Sequence, residues 1–587
     1  MARPDPHSWN DDTQPQTRSL QWEARVDFAA RRLDATASLT FHQPAAGGPL
    51  DLDTRQLEIS AVTDLAGAPL GFVLHPADPV LGARLTLTIP AGATGVKIRY
   101  RTSPDASALQ WLDPAQTAGG AEPFLFSQCQ AIHARSVVPL QDTPRLRLTY
   151  QAQLTVPARL TAVMAAAWVK REVSGAEATD FFQMPQPIPP YLFAFAVGQL
   201  VSRELGPRSK VWAEPSQVEA AAWEFSGVEK MILAAEALFG PYDWDRFDIL
   251  AMPPSFPYGG MENPRLTFLT PTIITGDRSL VNVVAHELAH SWTGNLVSNA
   301  TAEHFWLNEG FTVFAERRIL EVLEGKEAAA LHAALGRRSL DEAVARFKGQ
   351  PGLTKLRTEL AGLDPDDAYS QVPYEKGYLF LCTIEEAVGR EAFARFLRAY
   401  LATFRFQSIT TADFCRVCEQ QLPGALDRVG ANAWIDGVGV PANAPLARSA
   451  KLEEIEKLRG ALPAVAQAGS WDPSQWQLYL NSVPRPQAVA FCTELDARFS
   501  LTARNNYEVL VSWLTLAASG GYPPALPRIE EVLGKVGRMK YLRPLYEALA
   551  RNPDTRARAR RCFERLKGGY HPIARQVVEG VLSRANA

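Results

Sequence analysis

The chain has 587 residues, of which 47% are hydrophobic and 21% are charged, and its formal net charge is −3. This composition is typical of a globular protein, and the length predicts several domains. The slightly acidic balance argues against a general nucleic-acid-binding role, which usually requires a basic surface. No apolar run approaches the ~18 residues of a membrane span, so we expect none.

The N-terminal segment and the cysteines indicate the compartment. Residues 1–19, MARPDPHSWNDDTQPQTRS, lack a basic segment followed by an apolar run, so the sequence predicts no secretory signal. Six cysteines spread over 587 residues do not resemble a disulfide framework. We therefore expect a cytoplasmic protein.

Residues 1–202 are predicted to form an N-terminal, largely antiparallel β domain. Apolar residues alternate with polar ones in this part of the chain, as Leu85, Leu87 and Ile89 do with threonines. A period of two is typical of strands that bury one face. The segment Gln128-Cys129-Gln130-Ala131 interrupts the alternation and predicts a loop with amide side chains, which alone could be an ordinary turn.

Residues 203–440 are predicted to form a second, mixed domain, because helical periodicity begins near Val211 and a strand-like piece, RFDILAMP, follows. This piece leads into PYGGMENP at residues 257–264. Its two glycines would allow the backbone to approach a bound peptide closely. Glu262, in the same segment, could on its own be a surface carboxylate after a turn.

The stretch Val283 to Glu309 reads VVAHELAHSWTGNLVSNATAEHFWLNE. His286 and His290 are four residues apart, so on a helix they share one face and can reach one metal ion at the ~2.0–2.1 Å of a zinc–nitrogen bond. Glu287 lies beside them and could accept a proton from water at the metal. Glu309, on a second predicted helix, would complete a His–His–Glu set with one open position, as in catalytic zinc sites.

Two alternatives accompany this prediction. His286 and His290 could be core histidines, but without a metal they and the neighbouring glutamate would leave several buried polar groups without partners, so we favour the metal site. Glu316, seven residues after Glu309, could orient one of the two histidines. It could equally form a surface ion pair with Arg317 or Arg318, and the sequence leaves both interpretations open.

Two tyrosines follow in proline-punctuated segments. Tyr369 ends LDPDDAY and Tyr374 lies in VPYEKG. From spacing alone, both could be packing aromatics.

Cys415 and Cys418 form a C-x-x-C pair in the predicted helix TADFCRVCEQQL. A zinc knuckle would need a second pair nearby, and none occurs. We therefore predict that both are packing residues.

The C-terminal part is predicted to be helical. Residues 441–450 form a linker rich in proline and alanine, and residues 451–587 contain repeated amphipathic segments with glycine-containing turns between them. Stacked helical pairs of the solenoid type fit this pattern. The basic run TRARARRCFERLK is predicted to be a solvated helix face.

The motif G-x-M-E-N followed by H-E-x-x-H-x18-E resembles the M1 family of zinc aminopeptidases. Within that family, the particular residues in and around the motif resemble the leukotriene A4 hydrolase branch, including its bacterial relatives. Four further stretches carry the resemblance, from the first quarter of the chain almost to its end: FSQCQAIHARSVVPLQDTP (126–144), HSWTGNLVSN (290–299), AYSQVPYEKG (368–377) and GRMK (537–540). The resemblance implies a multidomain α+β protein. It would have an N-terminal all-β domain, a thermolysin-like α/β zinc catalytic domain and a C-terminal all-α solenoid of the armadillo or HEAT type.

The resemblance also implies roles for individual residues. One Zn²⁺ per chain would be held by His286, His290 and Glu309, with Glu287 as the general base and Tyr374 as the donor to the oxyanion. The substrate-binding residues that it implies are Gln130, Ala131, Tyr258, Gly259, Gly260, Met261, Glu262, Asn263, Asp366, Tyr369, Arg538 and Lys540.

Five of these residues would recognise charged or polar parts of a peptide. Glu262 and Gln130 would bind the free α-amine, and Asp366 would favour an N-terminal arginine or lysine. Arg538 and Lys540 would bind the carboxylate of a short substrate.

The function we predict is a zinc aminopeptidase acting on short peptides, especially tripeptides, with arginine, lysine or alanine preferred at the N-terminus. The alternative is an epoxide hydrolase of the leukotriene A4 type, as main or side activity, with a lipid epoxide as substrate. A non-catalytic scaffold predicts a broken set of catalytic residues, and the set is complete. Glu262 disfavours a general endopeptidase. We expect a monomer without nucleic-acid partners.

Overall fold

The computed structural model describes residues 3–280 and 282–584. Within them the chain forms a β-rich part, a mixed part and a helical part, each with a hydrophobic cluster of its own. The predicted three-part architecture is therefore confirmed, whereas the boundaries at residues 202, 440 and 450 stay predictions. No helix in the described ranges combines the length and apolarity needed to cross a membrane.

The β-rich part contains three sheets. Its strands are β1 (Thr17–Asp27), β2 (Arg32–Phe41), β3 (Gly48–Thr54), β4 (Glu58–Asp64), β5 (Phe72–Leu74), β6 (Ala83–Ile89), β7 (Gly95–Arg101), β8 (Leu109–Leu112), β9 (Phe124–Ser127), β10 (Leu148–Pro157), β11 (Thr161–Met164), β12 (Ala167–Ser174), β13 (Glu177–Ile188) and β14 (Phe195–Gly198). The sheet orders are β12-β13-β10-β1-β2-β7-β4, β11-β14-β9-β8 and β3-β6-β5.

The alternation read from the sequence matches the burial. Leu85, Leu87 and Ile89 on β6 are all buried, and the threonines between them are more exposed. All strand pairs of the three sheets are antiparallel except β1 with β10, which run parallel. The segment from Gln128 to Ala131 directly follows β9, so the buried four-stranded sheet positions that loop.

The mixed part is a five-stranded sheet covered by helices. Its elements are β15 (Val201–Gly206), β16 (Ser209–Ala213), α1 (Val218–Glu224), α2 (Val228–Phe239), β17 (Asp248–Ala251), β18 (Gly260–Met261), β19 (Leu266–Leu269), α3 (Asn282–Ala289), β20 (Val297–Asn299), α4 (Trp306–Glu324), α5 (Lys326–Arg346), α6 (Gly377–Val388), α7 (Arg390–Thr403), β21 (Gln407–Ile409), α8 (Thr411–Gln421), α9 (Ala425–Val429) and α10 (Ala431–Ile435). The sheet order is β15-β16-β17-β19-β18, so β18 is an edge strand beside α3.

The helical part is a two-layer stack. Its helices are α11 (Ala450–Leu458), α12 (Val465–Ala468), α13 (Pro473–Ser482), α14 (Val489–Phe499), α15 (Tyr507–Ser519), α16 (Ala525–Lys535), α17 (Met539–Arg551), α18 (Pro553–Leu566) and α19 (Pro572–Arg584). One layer is formed by successive contacts of α11 with α13, α13 with α15, α15 with α17 and α17 with α19. In addition, α16 packs on α18. Packing between alternate helices is the arrangement of a helical solenoid.

Cys415 and Cys418 both lie on α8 as free thiols, and Cys418 is completely buried in the core of the mixed part. This position fits the predicted packing role.

Two glycines set the distance between α4 and α6. A Cβ on Gly310 would lie 2.7 Å from Cα of Gly377, a separation at which the backbones would have to move. The absence of both side chains therefore lets α4 approach the turn Val372–Lys376 before α6. Glu309 on α4 and Tyr374 in that turn are brought to the same site.

Candidate functional site

Three predicted metal ligands converge between α3 and α4. His286 lies on α3, and His290 follows the last residue of that helix, with its backbone N–H donating to the carbonyl of His286 at 3.2 Å. The Nε2 atoms of His286 and His290 lie 3.4 and 3.5 Å from Oε2 of Glu309. The two imidazole rings are nearly perpendicular, at 85°. One ion at the centre of these atoms would contact all three side chains.

The state of Oε2 of Glu309 indicates whether these residues fit a metal ion. Oε2 of Glu309 is buried and has no hydrogen-bond partner within the described residues. An anionic oxygen in that state is costly, because burial removes its water without replacing it. A divalent cation would satisfy this oxygen, and two imidazoles with one carboxylate are a ligand set for catalytic zinc. The residues present therefore fit Zn²⁺.

Neighbouring acceptors orient both imidazoles. Nδ1 of His286 lies 3.0 Å from Oε2 of Glu316, and Nδ1 of His290 lies 3.1 Å from the carbonyl of Thr293 and 3.1 Å from Oγ1 of Thr312. Donation from each Nδ1–H to a carboxylate or carbonyl leaves Nε2 free to bind a metal. Glu316 thus contacts His286, which is the first of the two roles left open by the sequence.

Arg317 and Arg318 do not take Glu316 as their partner. Arg317 forms a buried ion pair with Glu375 at 2.7 Å, and Arg318 pairs with Glu321 and Glu385. Glu316 therefore remains available to His286.

Glu287 lies under the edge strand β18. Its side chain is buried, and a Cβ on Gly260 would lie 2.3 Å from its Oε1, so only glycine fits at that position. Burial raises the pKa of the Glu287 carboxyl well above its ordinary value. A carboxylate that is withdrawn from water is a stronger base than an exposed one.

Glu262 adds another carboxylate to the same pocket. Carboxylate oxygens of Glu262 and Glu287 lie within 4.8 Å of each other and of a ring nitrogen of His290. Burial, and then the charge of Glu309, raise the pKa of Glu262 to about 8. A pocket with these properties favours the binding of cations.

Gln130 reaches Glu262 from the β-rich part. Its Nε2 donates to Oε1 of Glu262 at 3.3 Å, across 132 positions of sequence. The amide of Asn295 donates to the backbone carbonyl of Glu262 at 2.7 Å and holds that segment in place. The predicted pair of amine-binding residues is therefore in contact.

Tyr374 and Tyr369 lie next to the metal-ligand residue His286. Their hydroxyls are 3.1 Å apart, and the ring of Tyr374 stacks on His286 at 6.2 Å between centroids. Burial, and then the charge of Glu309, raise the pKa of Tyr374 well above its usual value. Its phenol therefore stays protonated and can donate a hydrogen bond.

A cavity adjoins these groups. It is lined by five residues of the predicted substrate site, namely Gln130, Ala131, Tyr258, Asp366 and Tyr369. Much of the remaining wall is apolar and includes Phe305, Leu356 and Leu360.

The side chain of one predicted substrate residue, Met261, points into the hydrophobic core. The side chain of Met261 packs in the hydrophobic cluster of the β-rich part, where its sulfur lies 3.0 Å from Nε2 of Gln128. Asn263 is also buried. Met261 would therefore meet a peptide only through its backbone.

The helical part brings Arg538 against Gly259, the residue before β18. The backbone N–H groups of Gly537 and Met539 donate to the carbonyls of Pro254 and Pro257, at 2.7 and 2.9 Å. A Cβ on Gly259 would lie 2.6 Å from Nη2 of Arg538, so any other residue there would displace the guanidinium from its present position. Arg538 is 7% exposed, and its Nε is buried without a partner among the described residues.

Sequence reasoning missed Glu508 on α15. Its carboxylate is buried and accepts from Lys540 at 2.7 Å, from Tyr541 at 3.0 Å and from Arg538 at 3.4 Å. No motif marks this glutamate, since it lies 30 residues before Arg538 on a different helix. Lys540 and Arg538 are thus both paired with Glu508, and Nη2 of Arg538 lies against Gly259.

Sequence reasoning also missed the role of His133. Its Nε2 lies 2.9 Å from Oδ2 of Asp366, although 233 positions separate the two residues. The only available signal was its presence in the stretch 126–144.

Comparisons with known proteins agree with this geometry. The family description "Peptidase M1 N-terminal domain" matches residues 15–192, "Peptidase family M1 domain" matches 223–434, and "Leukotriene A4 hydrolase, C-terminal" matches 471–582. The leukotriene A-4 hydrolase of Xenopus laevis is 37% identical, covering 98% of each chain. Leucine aminopeptidase 2 of Yarrowia lipolytica is also 37% identical, covering 94% of this chain and 90% of the relative.

A solved structure shares the whole fold. Yeast LTA4 hydrolase in complex with bestatin superposes with a TM-score of 0.93 and is 31% identical, covering 98% of this chain and 97% of that chain. The similarity therefore includes all three parts of the molecule.

The contact between Glu316 and His286 generates a prediction. Glu316→Gln removes the negative charge behind His286, so we expect zinc affinity to fall by about tenfold. Competition with a coloured chelator measures the affinity, and metal analysis should find one zinc in the untreated parent protein. Glu324→Gln, at the exposed end of α4, is the matched control. Equal zinc affinity in the two variants would contradict the orienting role.

Proposed function

The chain belongs to peptidase family M1, and from that premise we propose that its groove removes the N-terminal residue of short peptides, especially tripeptides, with arginine, lysine or alanine preferred there. The observation that carries the proposal is the buried Glu262 carboxylate beside Glu287 and His290. A carboxylate there ends the groove one residue from the reacting bond. It attracts a protonated α-amine, and it leaves no room for a longer N-terminal extension.

The residues of the site have distinct roles in this proposal. When bound by His286, His290 and Glu309, Zn²⁺ supplies Lewis-acid polarisation of the scissile carbonyl and lowers the pKa of water. Glu287 takes a proton from the attacking water and later transfers it to the leaving amine. The phenol of Tyr374 donates to the developing oxyanion, a contribution of about 2.7–4 kcal/mol to transition-state stabilisation.

The two ends of the substrate are bound by charges. Glu262, with Gln130, receives the α-ammonium, and β18 offers its open edge to the peptide backbone. Arg538, supported by Lys540, receives the terminal carboxylate. Because both anchors are fixed, their separation selects peptides of one length.

Asp366 supports the preference for a basic first residue. Its carboxylate lines the cavity beside Gln130 and Tyr258, and its side chain is 31% exposed. A guanidinium or ammonium group entering this cavity would form a charge-assisted hydrogen bond with it. Alanine would be accepted because it makes no contact that requires this charge.

We propose further that the enzyme acts as a monomer in the cytoplasm. Every group of the site comes from one chain, and the cysteines are free thiols, as in reducing compartments. Light scattering of the purified protein and fractionation of its host cells measure the two properties.

A second function, hydrolysis of a fatty-acid epoxide, is favoured by the mostly apolar wall of the adjoining cavity. An acyl chain would occupy this cavity, Arg538 would bind the lipid carboxylate and Asp366 would direct water. Zinc-loaded enzyme should then convert leukotriene A4 to a diol, detected by chromatography. An unchanged rate of epoxide loss relative to buffer would exclude this activity.

The amine anchor generates the first peptidase prediction. The enzyme should release arginine from a free arginine-led tripeptide and leave the N-acetylated peptide intact, and a zinc chelator should abolish the release. Glu262→Gln should lower kcat/KM for the free peptide at least about tenfold, because a buried charge-assisted pair is lost. Amino-acid analysis measures the release, with Glu324→Gln as control. Cleavage of both peptides at equal rates would remove Glu262 from this role.

The proposed binding of the substrate's terminal carboxylate by Arg538 generates the second peptidase prediction. Arg538→Gln should raise KM for a free-acid tripeptide about tenfold or more and should change KM for the C-terminal amide much less. Arg528→Gln, whose parent residue pairs with Glu531 on α16, is the matched control. Equal changes in KM for the acid and the amide would contradict carboxylate binding by Arg538.

A further inference from the structure

Asp366 has a partner from another part of the chain. Nε2 of His133 lies 2.9 Å from Oδ2 of Asp366, and His133 is itself 5% exposed. His133 belongs to the loop region after β9, whereas Asp366 belongs to the segment before α6. The contact therefore joins the β-rich part to the cavity wall of the mixed part.

The other ring nitrogen of His133 determines the position of its proton. Nη1 of Arg55 lies 3.0 Å from Nδ1 of His133, and Oγ of Ser107 lies 2.8 Å from the same atom. A guanidinium has donors and no acceptor, so Nδ1 must accept from it. Nε2 therefore carries a proton, which points at Asp366.

Arg55 is held in place for this contact. Its Nη2 donates to the backbone carbonyl of Val80, and its Nη1 also lies within 3.4 Å of Oγ of Ser107. A second proton on His133 would set an N–H of the ring against an N–H of Arg55. The arrangement therefore makes Nε2–H the donor that faces Asp366.

The Nε2–H donor has a specific consequence for Asp366. The hydrogen bond that it donates fixes one carboxylate oxygen and leaves the other free to face the cavity. Burial raises the pKa of Asp366, but the electrostatic interaction and hydrogen bond with His133, and then the charge of Arg55, lower it below its ordinary value. The carboxylate thus remains ionised although it is mostly enclosed.

We propose that His133 is a positioning residue for substrate selection: held by Arg55 and Ser107, it donates from Nε2–H to the Asp366 carboxylate and fixes the orientation in which that carboxylate selects basic N-terminal residues. This inference rests on the proposed role of Asp366. It adds a residue that touches no substrate and acts only through that carboxylate.

The experiment compares an arginine-led and an alanine-led tripeptide that share their last two residues, using full-length, zinc-loaded enzyme. The selectivity is the ratio of kcat/KM for the two peptides. His133→Leu removes the donor, and His133→Gln retains an amide N–H at the reach of Nε2. Both changes are made alone and together with Asp366→Asn. His75→Gln is the control, because the ring of His75 is hydrogen-bonded to Thr86, away from Asp366.

The donor hypothesis fixes the expected pattern. His133→Leu should lower the selectivity about tenfold, mainly through a higher KM for the arginine-led peptide, since a hydrogen bond to a charged group is lost. His133→Gln should stay within about twofold of the parent selectivity. In the Asp366→Asn background, His133→Leu should produce no further fall. The His75 variant should match the parent enzyme.

The remaining outcomes separate two kinds of failure. If Asp366→Asn lowers the selectivity and His133→Leu does not, the role of His133 is wrong and the proposed basic preference stands. If His133→Leu lowers kcat/KM for both peptides by one factor, the residue is structural and the inference fails. If Asp366→Asn leaves the ratio unchanged, the proposed basic preference is itself wrong, and the inference falls with it.

Discussion

Three buried carboxylates, those of Glu262, Glu287 and Glu309, lie in one pocket, and the rest of the site depends on how their charge is balanced. Enclosed anions so close together are unfavourable unless cations or protons join them. The two cations of the proposed reaction, Zn²⁺ and the substrate's α-ammonium, are what this pocket favours. The same electrostatics therefore explain both the metal centre and the choice of the free N-terminus.

The three parts of the fold each supply residues to the proposed groove. The mixed part carries the metal ligands on α3 and α4, while the β-rich part contributes Gln130 and the helical part contributes Arg538. Close backbone approach joins these contributions, because Gly259 leaves room for Arg538 and Gly260 leaves room for Glu287.

Local patterns in the sequence predicted much of this arrangement. The period of two predicted the β-rich part, the helical repeats predicted the solenoid, and the four-residue spacing of His286 and His290 predicted a shared ligand face. The partner of Glu316 was left open because a helical position alone does not say which of two neighbours it meets. Contacts such as His133 with Asp366, and the parallel pairing of β1 with β10, depend on tertiary packing between distant segments, and no local pattern specifies them.

The charged groups of the groove differ in how they are satisfied without a ligand. Asp366 already accepts from His133, and Arg538 already donates to Tyr541 at 2.8 Å and to Glu508, whereas Oε2 of Glu309 has no partner among the described residues. When a substrate binds Asp366 or Arg538, it replaces a hydrogen bond that already exists. The net gain in binding free energy is therefore modest and serves mainly to distinguish substrates. Binding at the unsatisfied oxygen removes a desolvation cost outright. Under the proposed function, affinity for the metal and selectivity for the peptide thus belong to different groups, one unsatisfied and the others already hydrogen-bonded before binding.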